Sequence, residues 1–232
     1  MAFEEKAPSY DEWFLKNRNV LYSEVRLIKY FLEKYWVGRS LSVGCGSALF
    51  ESILRDEYGI RVTHCLEPAE GMARIAESRG FKVDRGRAEE LPYPDGYFDT
   101  VIHNGIIHYV EDPLKAMREA FRVLRSGGQI IVAWVAGEGS YGILYQLAGT
   151  LGSWEPLRRI APEHPYPIEF IREAKRWPTA DEVKELVESV GFTRVEFAQT
   201  LTMHPRYSNN YVEDPIEGFD RGDYVALRAV KP

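Results

Sequence analysis

The sequence predicts an α/β fold with a doubly wound, mainly parallel sheet of seven strands and helices on both faces. Between residues 39 and 135, short apolar segments alternate with helical segments of about ten residues, as they do in successive βαβ units. Glycine follows several of the helical segments, as it does at many helix C-termini. The chain has 232 residues, 45% of them hydrophobic, which is enough to bury one full core.

The predicted elements follow from the periodicity of the apolar residues. The N-terminal region is predicted to be helical because Leu21, Val25, Ile28 and Leu32 recur every three or four residues. The predicted strands are 39–44, 61–67, 81–86, 98–105, 129–135, 193–201 and 223–230. The predicted helices between them are 48–58, 69–78, 112–124 (extending to the glycines at 127 and 128) and 179–191.

Residues 137–178 interrupt this alternation. The segment is rich in aromatic residues, Gly and Pro, and it is too long for an ordinary loop. We therefore expect an insertion over the edge of the sheet. The regular pattern resumes at Thr179, a residue type that caps helices, and the helix after it should end at Gly191.

Charge and composition exclude several classes of protein. A net charge of −6 argues against a general nucleic-acid binder or a protein that binds anionic membranes. No apolar run approaches the roughly 20 residues needed to cross a bilayer. Cys45 and Cys65 are the only cysteines, and the N-terminus does not read as a secretion signal, so we expect a soluble, cytoplasmic protein with two buried thiols. His164 and His204 lack partners at ligand spacing, so no metal site is expected.

The segment "LSVGCGSALF" (41–50) places a glycine turn between a strand and a helix, where ligands of parallel sheets bind. A triphosphate site would need a Lys after the turn, and none is present. A dinucleotide site would need a third glycine at Leu49. These absences leave a nucleoside as the favoured ligand. Glu67 supports it, because it ends the second strand 23 residues after Gly44, close to the ~20 expected for an acidic residue that binds a ribose.

Three segments resemble the class I S-adenosylmethionine-dependent methyltransferases, in particular methyltransferase type 11 and the branch similar to quinone-biosynthesis methyltransferases. They are "LSVGCGSALF", "LEPAEGMARIAE" and "GRAEELPYPDGYFDTVIHNGIIHYVEDPLKAMREAFRVLRSGGQIIV", which together extend from about residue 40 to 136. The resemblance implies a Rossmann-like sheet whose last strand is antiparallel, S-adenosylmethionine as cofactor and S-adenosylhomocysteine as product. It also implies one domain, 1–232, made of an N-terminal helical cap (1–38), a cofactor-binding core (39–136), a lid-like insertion (137–178) and a C-terminal helix and strand pair (179–232).

The family pattern also assigns roles to residues of this chain. The backbone around Val43, Gly44, Cys45 and Gly46 would lie against the methionine part of the cofactor, and Glu67 would bind the ribose hydroxyls. The adenine would lie against Pro68, Met72, Ala88 and Glu89, while Asn104 and Gly105 would line the methionine side and the path to the acceptor. Two positions depart from the pattern. Ser42 replaces a usual acidic residue, which puts the contact to the cofactor's ammonium group in doubt, and Ala48 replaces a third glycine.

Candidates for the methyl transfer itself each have a structural alternative. His108 is the best-placed general base, or else a histidine that packs the turn after the fourth strand, and Tyr109 has the same two interpretations. Tyr10 and Trp13 would belong to a flap over the cofactor, or would simply anchor the N-terminal helix. Tyr141 and Tyr145 of the insertion would form a lid that selects the acceptor, or else a satellite core or an oligomer contact.

The function that these expectations favour is methyl transfer from S-adenosylmethionine to a small-molecule acceptor, without a metal, nucleic acid or membrane. A catalytically silent nucleoside-binding module of the same fold is the alternative, which the serine at position 42 makes plausible. A nicotinamide dehydrogenase is disfavoured by Leu49 and by the absence of a Ser-Tyr-Lys catalytic set. The sequence does not indicate the oligomeric state.

Overall fold

The structure, a computed structural model, describes residues 2–232 and contains one eight-stranded sheet. Its strands are β1 Ser40–Val43, β2 His64–Leu66, β3 Val83–Asp84, β4 Phe98–Asn104, β5 Leu124–Val135, β6 Thr193–Thr200, β7 Ile216–Glu217 and β8 Tyr224–Val230. The strand order is β3-β2-β1-β4-β5-β8-β6-β7. The first five strands pair in parallel, and β8 inserts antiparallel between β5 and β6.

This topology confirms the predicted α/β fold and its antiparallel last strand. The sheet has one strand more than the seven expected, because the two-residue strand β7 pairs with β6 at the edge. A strand of two residues has no detectable sequence period, so pattern reading alone could not place it.

The described residues form nine α-helices, four of them after short turns that follow a strand. The helices are α1 Ala2–Glu5, α2 Ala7–Lys16, α3 Arg18–Lys34, α4 Leu49–Tyr58, α5 Glu70–Ser78, α6 Pro113–Val123, α7 Ser140–Leu151, α8 Ile168–Ile171 and α9 Ala180–Ser189. None of the helices between residues 2 and 232 is both long enough and apolar enough to span a membrane.

Helices cover the two faces of the sheet because side chains alternate along each central strand. In β5, Ile131 and Ala133 belong to the core that also contains residues of α3, α4 and α7. Ile130, Val132 and Trp134 belong to the opposite core, together with residues of α6 and α9. A strand buried on both faces reads as one continuous apolar run, which is the pattern of residues 129–135.

The end of α6 differs from the prediction. The helix stops at Val123, not at the glycines that follow, because Leu124 already pairs with Phe98 of β4. The register of the two strands then shifts before Gln129, and Gly127 within this irregular stretch has a φ of 75°. The glycines therefore serve a bulge in a strand rather than the end of a helix.

Helix α9 begins as predicted. The side chain of Thr179 accepts a hydrogen bond from the Glu182 backbone, and the Glu182 side chain accepts one from the Thr179 backbone. This capping box satisfies two of the N–H groups that every helix leaves unpaired at its start.

The insertion contains α7 and α8, and much of it is buried. Tyr141, Tyr145, Tyr166 and Phe170 are at most 8% exposed and pack in the same core as α3 and α4. These rings are therefore continuous with the main core and do not form a separate cluster. The large apolar side chains that the insertion leaves in solvent are Ile143, Leu147 and Leu151 of α7 and Ile160.

Candidate functional site

A cavity of about 550 Å³ lies where β1, β2 and β4 end, the place where parallel sheets bind ligands. The turns after these three strands form its floor, and α1, α2, α3 and the insertion form its other walls. Most of the residues that the sequence proposed line this one cavity. They are Val43, Gly44, Gly46, Glu67, Pro68, Met72, Ala88, Glu89, Asn104, Gly105, His108, Tyr10, Trp13, Tyr109 and Tyr145.

Two of the proposed residues do not line the cavity. Cys45 lies in the glycine turn but packs toward the small cluster around Cys65, and both thiols are free. The hydroxyl group of Tyr141 forms a hydrogen bond with Ser208 Oγ at 2.5 Å, and the residue is buried without lining the cavity. Cys45 was proposed from the family pattern for its backbone and Tyr141 as part of the aromatic insertion, and neither basis indicates the direction of the side chain.

The glycine turn has the geometry that close approach of a ligand requires. Gly44 and Gly46 have φ angles of 63° and 57°, in the left-handed region that favours glycine. A Cβ at Gly44 would come within 2.6 Å of Ile106 Cγ2. A Cβ at Gly46 would meet nothing within 4 Å, so the backbone there faces open space in the cavity.

Glu67 is buried beside this turn, and its carboxylate is oriented by two backbone groups. Oε2 accepts a hydrogen bond from Gly46 N and Oε1 accepts one from Ala69 N, both at 2.9 Å. Burial raises the pKa of Glu67, and the two hydrogen bonds oppose that rise. A carboxylate has about four acceptor sites, so two remain for hydroxyl groups of a ligand.

The wall that the resemblance assigns to adenine is apolar with one carboxylate. Met72 and Ala88 are buried there, next to Pro68. Glu89 Oε1 accepts a hydrogen bond from Glu111 N at 2.7 Å, which ties this wall to the loop after β4. The arrangement offers a slot that fits the flat face of a base.

Tyr224 is a lining residue that the sequence analysis did not propose. It begins β8, which inserts next to β5, and its hydroxyl donates to Asn104 Oδ1 at 2.6 Å. This contact fixes the side chain of Asn104 beside Gly105, whose φ is 71°. Only the strand order brings position 224 beside position 104, so no local motif could have indicated it.

A carboxylate lies next to Ser42, the position that departs from the family pattern. Ser42 Oγ donates to Glu51 Oε1 at 2.5 Å, and Glu51 is 4% exposed. Burial raises the pKa of Glu51, and the hydrogen bond from Ser42 lowers it. Glu51 Oε2 is buried without a hydrogen-bond partner among residues 2–232. Helix α4 thus places an acidic group next to β1, although neither Ser42 nor Glu51 lines the cavity.

The environment of His108 fits a structural role better than the role of a general base. Its Nδ1 lies 3.1 Å from the Arg176 carbonyl, and its Nε2 accepts a hydrogen bond from Val135 N at 3.3 Å. Burial lowers the pKa of His108 to about 4. Both ring nitrogens are therefore engaged by backbone groups, and His108 connects the loop after β4 to the insertion.

Aromatic rings enclose the remaining side of the cavity. Tyr10 and Trp13 of α2 meet the insertion there, and the Trp13 ring lies 4.9 Å from that of Tyr166. Trp13 Nε1 also donates to the His164 carbonyl at 2.8 Å. The N-terminal helices and the insertion therefore form one continuous aromatic wall opposite the glycine turn.

An ion pair fastens α2 to the glycine turn. Asp11 Oδ1 accepts a hydrogen bond from Ser47 Oγ at 2.5 Å, and Asp11 Oδ2 pairs with Arg79 at 2.6 Å. Arg79 also donates to the Ser47 carbonyl at 2.6 Å. The position of α2 over the cavity is thus coupled to the turn that would contact the cofactor.

Together these features fit S-adenosylmethionine. Gly46 leaves open space above the turn, Glu67 offers free acceptor sites, and the slot beside Met72 suits a base. No set of three or more His, Cys, Asp or Glu side chains within residues 2–232 could hold a metal ion. The fold and the cavity define an α/β protein with a ligand-binding cavity at the carboxyl ends of its strands.

Comparisons with known proteins narrow this class. Residues 41–132 match the family described as "Methyltransferase domain". A solved Thermotoga maritima protein, described as a SAM-dependent methyltransferase and possible histamine N-methyltransferase, is 30% identical with a TM-score of 0.84, over 99% of this chain and 98% of that one. An uncharacterized protein of Methanocaldococcus jannaschii is 29% identical over 230 residues, covering 99% of this chain and 98% of that protein. The malonyl-[acyl-carrier protein] O-methyltransferase of Geobacter sulfurreducens is 30% identical over 200 residues, covering 84% of this chain and 70% of that enzyme.

The chain belongs to the S-adenosylmethionine-dependent methyltransferase family, as the resemblance of its sequence indicated.

Proposed function

We propose that this protein transfers a methyl group from S-adenosylmethionine to a small-molecule acceptor and releases S-adenosylhomocysteine. The observation that carries the proposal is the convergence of the glycine turn, Glu67 and the adenine slot beside Met72 on one cavity. Family membership supports the cofactor, and the O-methyltransferase name of the Geobacter relative is an example of methyl transfer by a similar chain.

When bound, the cofactor would supply a methyl group already activated by a positively charged sulfur. The protein then mainly has to hold the acceptor in line with that methyl group and to exclude water. The aromatic wall formed by α2 and the insertion would exclude water from one side. Asn104, held by Tyr224, would border the passage between the methionine side and the acceptor.

We also propose that the four segments of the chain have the separate roles that the sequence suggested. Residues 39–136 would bind the cofactor, residues 1–38 would cap it, residues 137–178 would shape the acceptor pocket, and residues 179–232 would complete the sheet. The link between Asp11, Ser47 and Arg79 supports the capping role, because it joins α2 directly to the glycine turn.

The presence of Glu51 weakens the case for a silent nucleoside-binding module. That alternative was attractive because Ser42 lacks a charge, and a buried carboxylate lies within hydrogen-bonding distance of Ser42. An acidic group is therefore present next to β1, although Glu51 itself does not line the cavity.

The test is an isothermal titration of S-adenosylhomocysteine into the protein, with NAD as the control ligand. The informative variant is Gly46→Asn, because Asn tolerates the left-handed φ of 57° and its side chain would occupy open space in the cavity. The matched control is Gly59→Asn, since Gly59 has a φ of 69° and the same absence of neighbours but is exposed at the end of α4.

We expect S-adenosylhomocysteine to bind in the micromolar range, about −8 kcal/mol, and NAD not to bind. Gly46→Asn should abolish this binding, and Gly59→Asn should leave it unchanged. Failure of the unaltered protein to bind S-adenosylhomocysteine would contradict the proposed function.

A further inference from the structure

Glu24 is a buried carboxyl group in the cavity with no partner. It lies on α3, is 6% exposed and lines the cavity. No hydrogen bond or ion pair joins its side chain to any of residues 2–232, and burial alone raises its pKa. Glu67 and Glu89, the other buried carboxyl groups of the lining, each accept hydrogen bonds from backbone N–H groups.

The cationic residues of the cavity do not neutralise Glu24. Arg87 lies 3.7 Å from Glu89, and Lys175 lies 3.1 Å from Glu111. Arg172, the third basic residue of the lining, is exposed. The inner part of the cavity therefore contains several carboxyl groups, and Glu24 is the buried one that has no hydrogen-bond or ion-pair partner among residues 2–232.

Tyrosine side chains lie near this carboxyl group. Burial raises the pKa of Tyr10, Tyr145 and Tyr224, and the negative charge of Glu24 raises it further, which places Glu24 near all three. The ring of Tyr145 stacks on that of Tyr166, with 5.8 Å between their centroids. Aromatic faces attract cations, and that attraction strengthens when water is excluded.

A buried carboxylate without a partner destabilises a fold unless it is neutralised or a ligand supplies the missing charge. An uncharged residue in its place would spare the protein this penalty, so the carboxyl group suits ligand binding better than folding. A protonated amine fits the surroundings, because it donates hydrogen bonds to a carboxylate and packs on aromatic rings.

We propose that Glu24 is the recognition residue for the acceptor and that the acceptor is a small amine, which binds as its ammonium ion between Glu24 and the aromatic wall. This inference rests on the proposed methyltransferase function and names its substrate class. Glu24 is a binding residue in this proposal, and the atom that receives the methyl group is left open.

The experiment separates the proposal from the function on which it rests. S-adenosylhomocysteine is first titrated into the protein, and lack of binding at this step would remove the methyltransferase function itself. The saturated complex is then titrated with benzylamine, 2-phenylethylamine and hexylamine, and separately with the three alcohols of the same carbon skeletons. We expect at least one amine to bind and each alcohol to bind at least tenfold more weakly than its matching amine. Equal binding of amines and alcohols, or no binding of any amine, would overturn the proposal.

Variants then assign the effect to Glu24. Glu24→Gln should weaken amine binding roughly 10- to 150-fold, the range for losing a hydrogen bond to a charged group. Glu24→Asp, which keeps the charge, should retain more of the affinity. Glu213→Gln is the matched control, because Glu213 is a buried carboxyl group with an unpartnered Oε1 that does not line the cavity, and it should leave amine binding unchanged.

Two further readouts test other roles for Glu24. The Glu24→Gln variant should bind S-adenosylhomocysteine with the same affinity as the unaltered protein. A loss of this affinity would show that Glu24 binds the cofactor's own ammonium group. The thermal unfolding midpoint of the ligand-free variant should hold or rise, because an unpaired buried carboxyl group has been removed. A marked fall would show that Glu24 is needed for folding, and either of these adverse results would overturn the assignment.

Discussion

Glu67→Ala is the perturbation that tests the cofactor site most directly. Glu67 is 5% exposed, and its two carboxylate oxygens each accept one backbone hydrogen bond at 2.9 Å. If its remaining acceptor sites bind the ribose hydroxyls, the variant loses hydrogen bonds to a charged group, each worth about 1.5–3 kcal/mol. The loss of one such bond weakens binding roughly 10- to 150-fold.

The same substitution has a cost in stability that must be measured separately. Removing the carboxylate leaves Gly46 N and Ala69 N without their acceptor, and an unsatisfied buried donor costs about 1–3 kcal/mol. Urea unfolding of the ligand-free variant gives this contribution. The titration is then run at a temperature at which the variant is fully folded, so that loss of affinity cannot be confused with loss of fold.

The assay is isothermal titration of S-adenosylhomocysteine, and two other substitutions serve as an intermediate case and as a control. Glu67→Gln keeps one acceptor oxygen, so we expect an intermediate loss of affinity. Glu70→Gln removes an exposed carboxylate that pairs with Arg74 and Arg85, and it should leave the affinity unchanged. A folded Glu67→Ala protein whose affinity stays within twofold of the parent would refute the ribose contact.

Four further outcomes are expected. Asp11→Asn should lower the free energy of unfolding by about 1–3 kcal/mol and weaken S-adenosylhomocysteine binding, because it breaks the link from α2 to Arg79 and Ser47. Urea unfolding measures the loss of stability and isothermal titration the loss of affinity, with the exposed Asp56→Asn as the control. His108→Gln should lower stability yet retain methyl transfer in a radiolabel assay with an accepted substrate, whereas loss of turnover in a folded variant would restore His108 as a base. Burial raises the pKa of Asp223 to about 7, above its unfolded value of about 3.9, so the contribution of Asp223 to stability is complete below pH ~4 and is lost as the pH rises to ~7. Asp223→Asn should therefore remove up to about 1.4 kcal/mol per pH unit from the slope of the unfolding free energy against pH in this range. An unchanged slope would count against the raised pKa. Glu51→Gln should weaken S-adenosylhomocysteine binding if its carboxylate serves the ammonium group, and equal affinity would exclude that role.

Local patterns were sufficient for seven of the eight strands and for the glycine turn and Glu67 in the cavity. The turn at Gly44 and Gly46 and the acidic end of β2 at Glu67 are each encoded within a few residues. The ends of parallel strands converge at one edge, so correct strand assignments were enough to bring these positions together. The other residues proposed for this side, such as Met72 and Ala88, came from the family resemblance and not from the alternation of strands and helices.

Local sequence patterns could not predict contacts between segments that are distant in the chain. Tyr224 lines the cavity because β8 inserts between β5 and β6, an order that no periodicity reveals. Helix α3 was recognised from its apolar stripe, yet nothing in the stripe shows that Glu24 lies on the cavity side. The directions of Cys45 and Tyr141, which were proposed for the site and lie away from it, depend on packing in the same way.

Ser42 and Glu51 show why a missing motif residue does not by itself indicate a missing function. The sequence comparison is made position by position along β1, where Ser42 lacks a carboxylate. A bound ligand interacts with charges that are close to it in space, whichever element carries them. Glu51, in the first turn of α4, has its Oε1 atom 2.5 Å from the Ser42 hydroxyl oxygen. A carboxylate there is also favourably placed near the N-terminus of α4, where the helix dipole attracts negative charge. The chain therefore keeps an acidic group next to Ser42 although the motif position lacks one, and the Glu51→Gln titration decides whether that group contributes to cofactor binding.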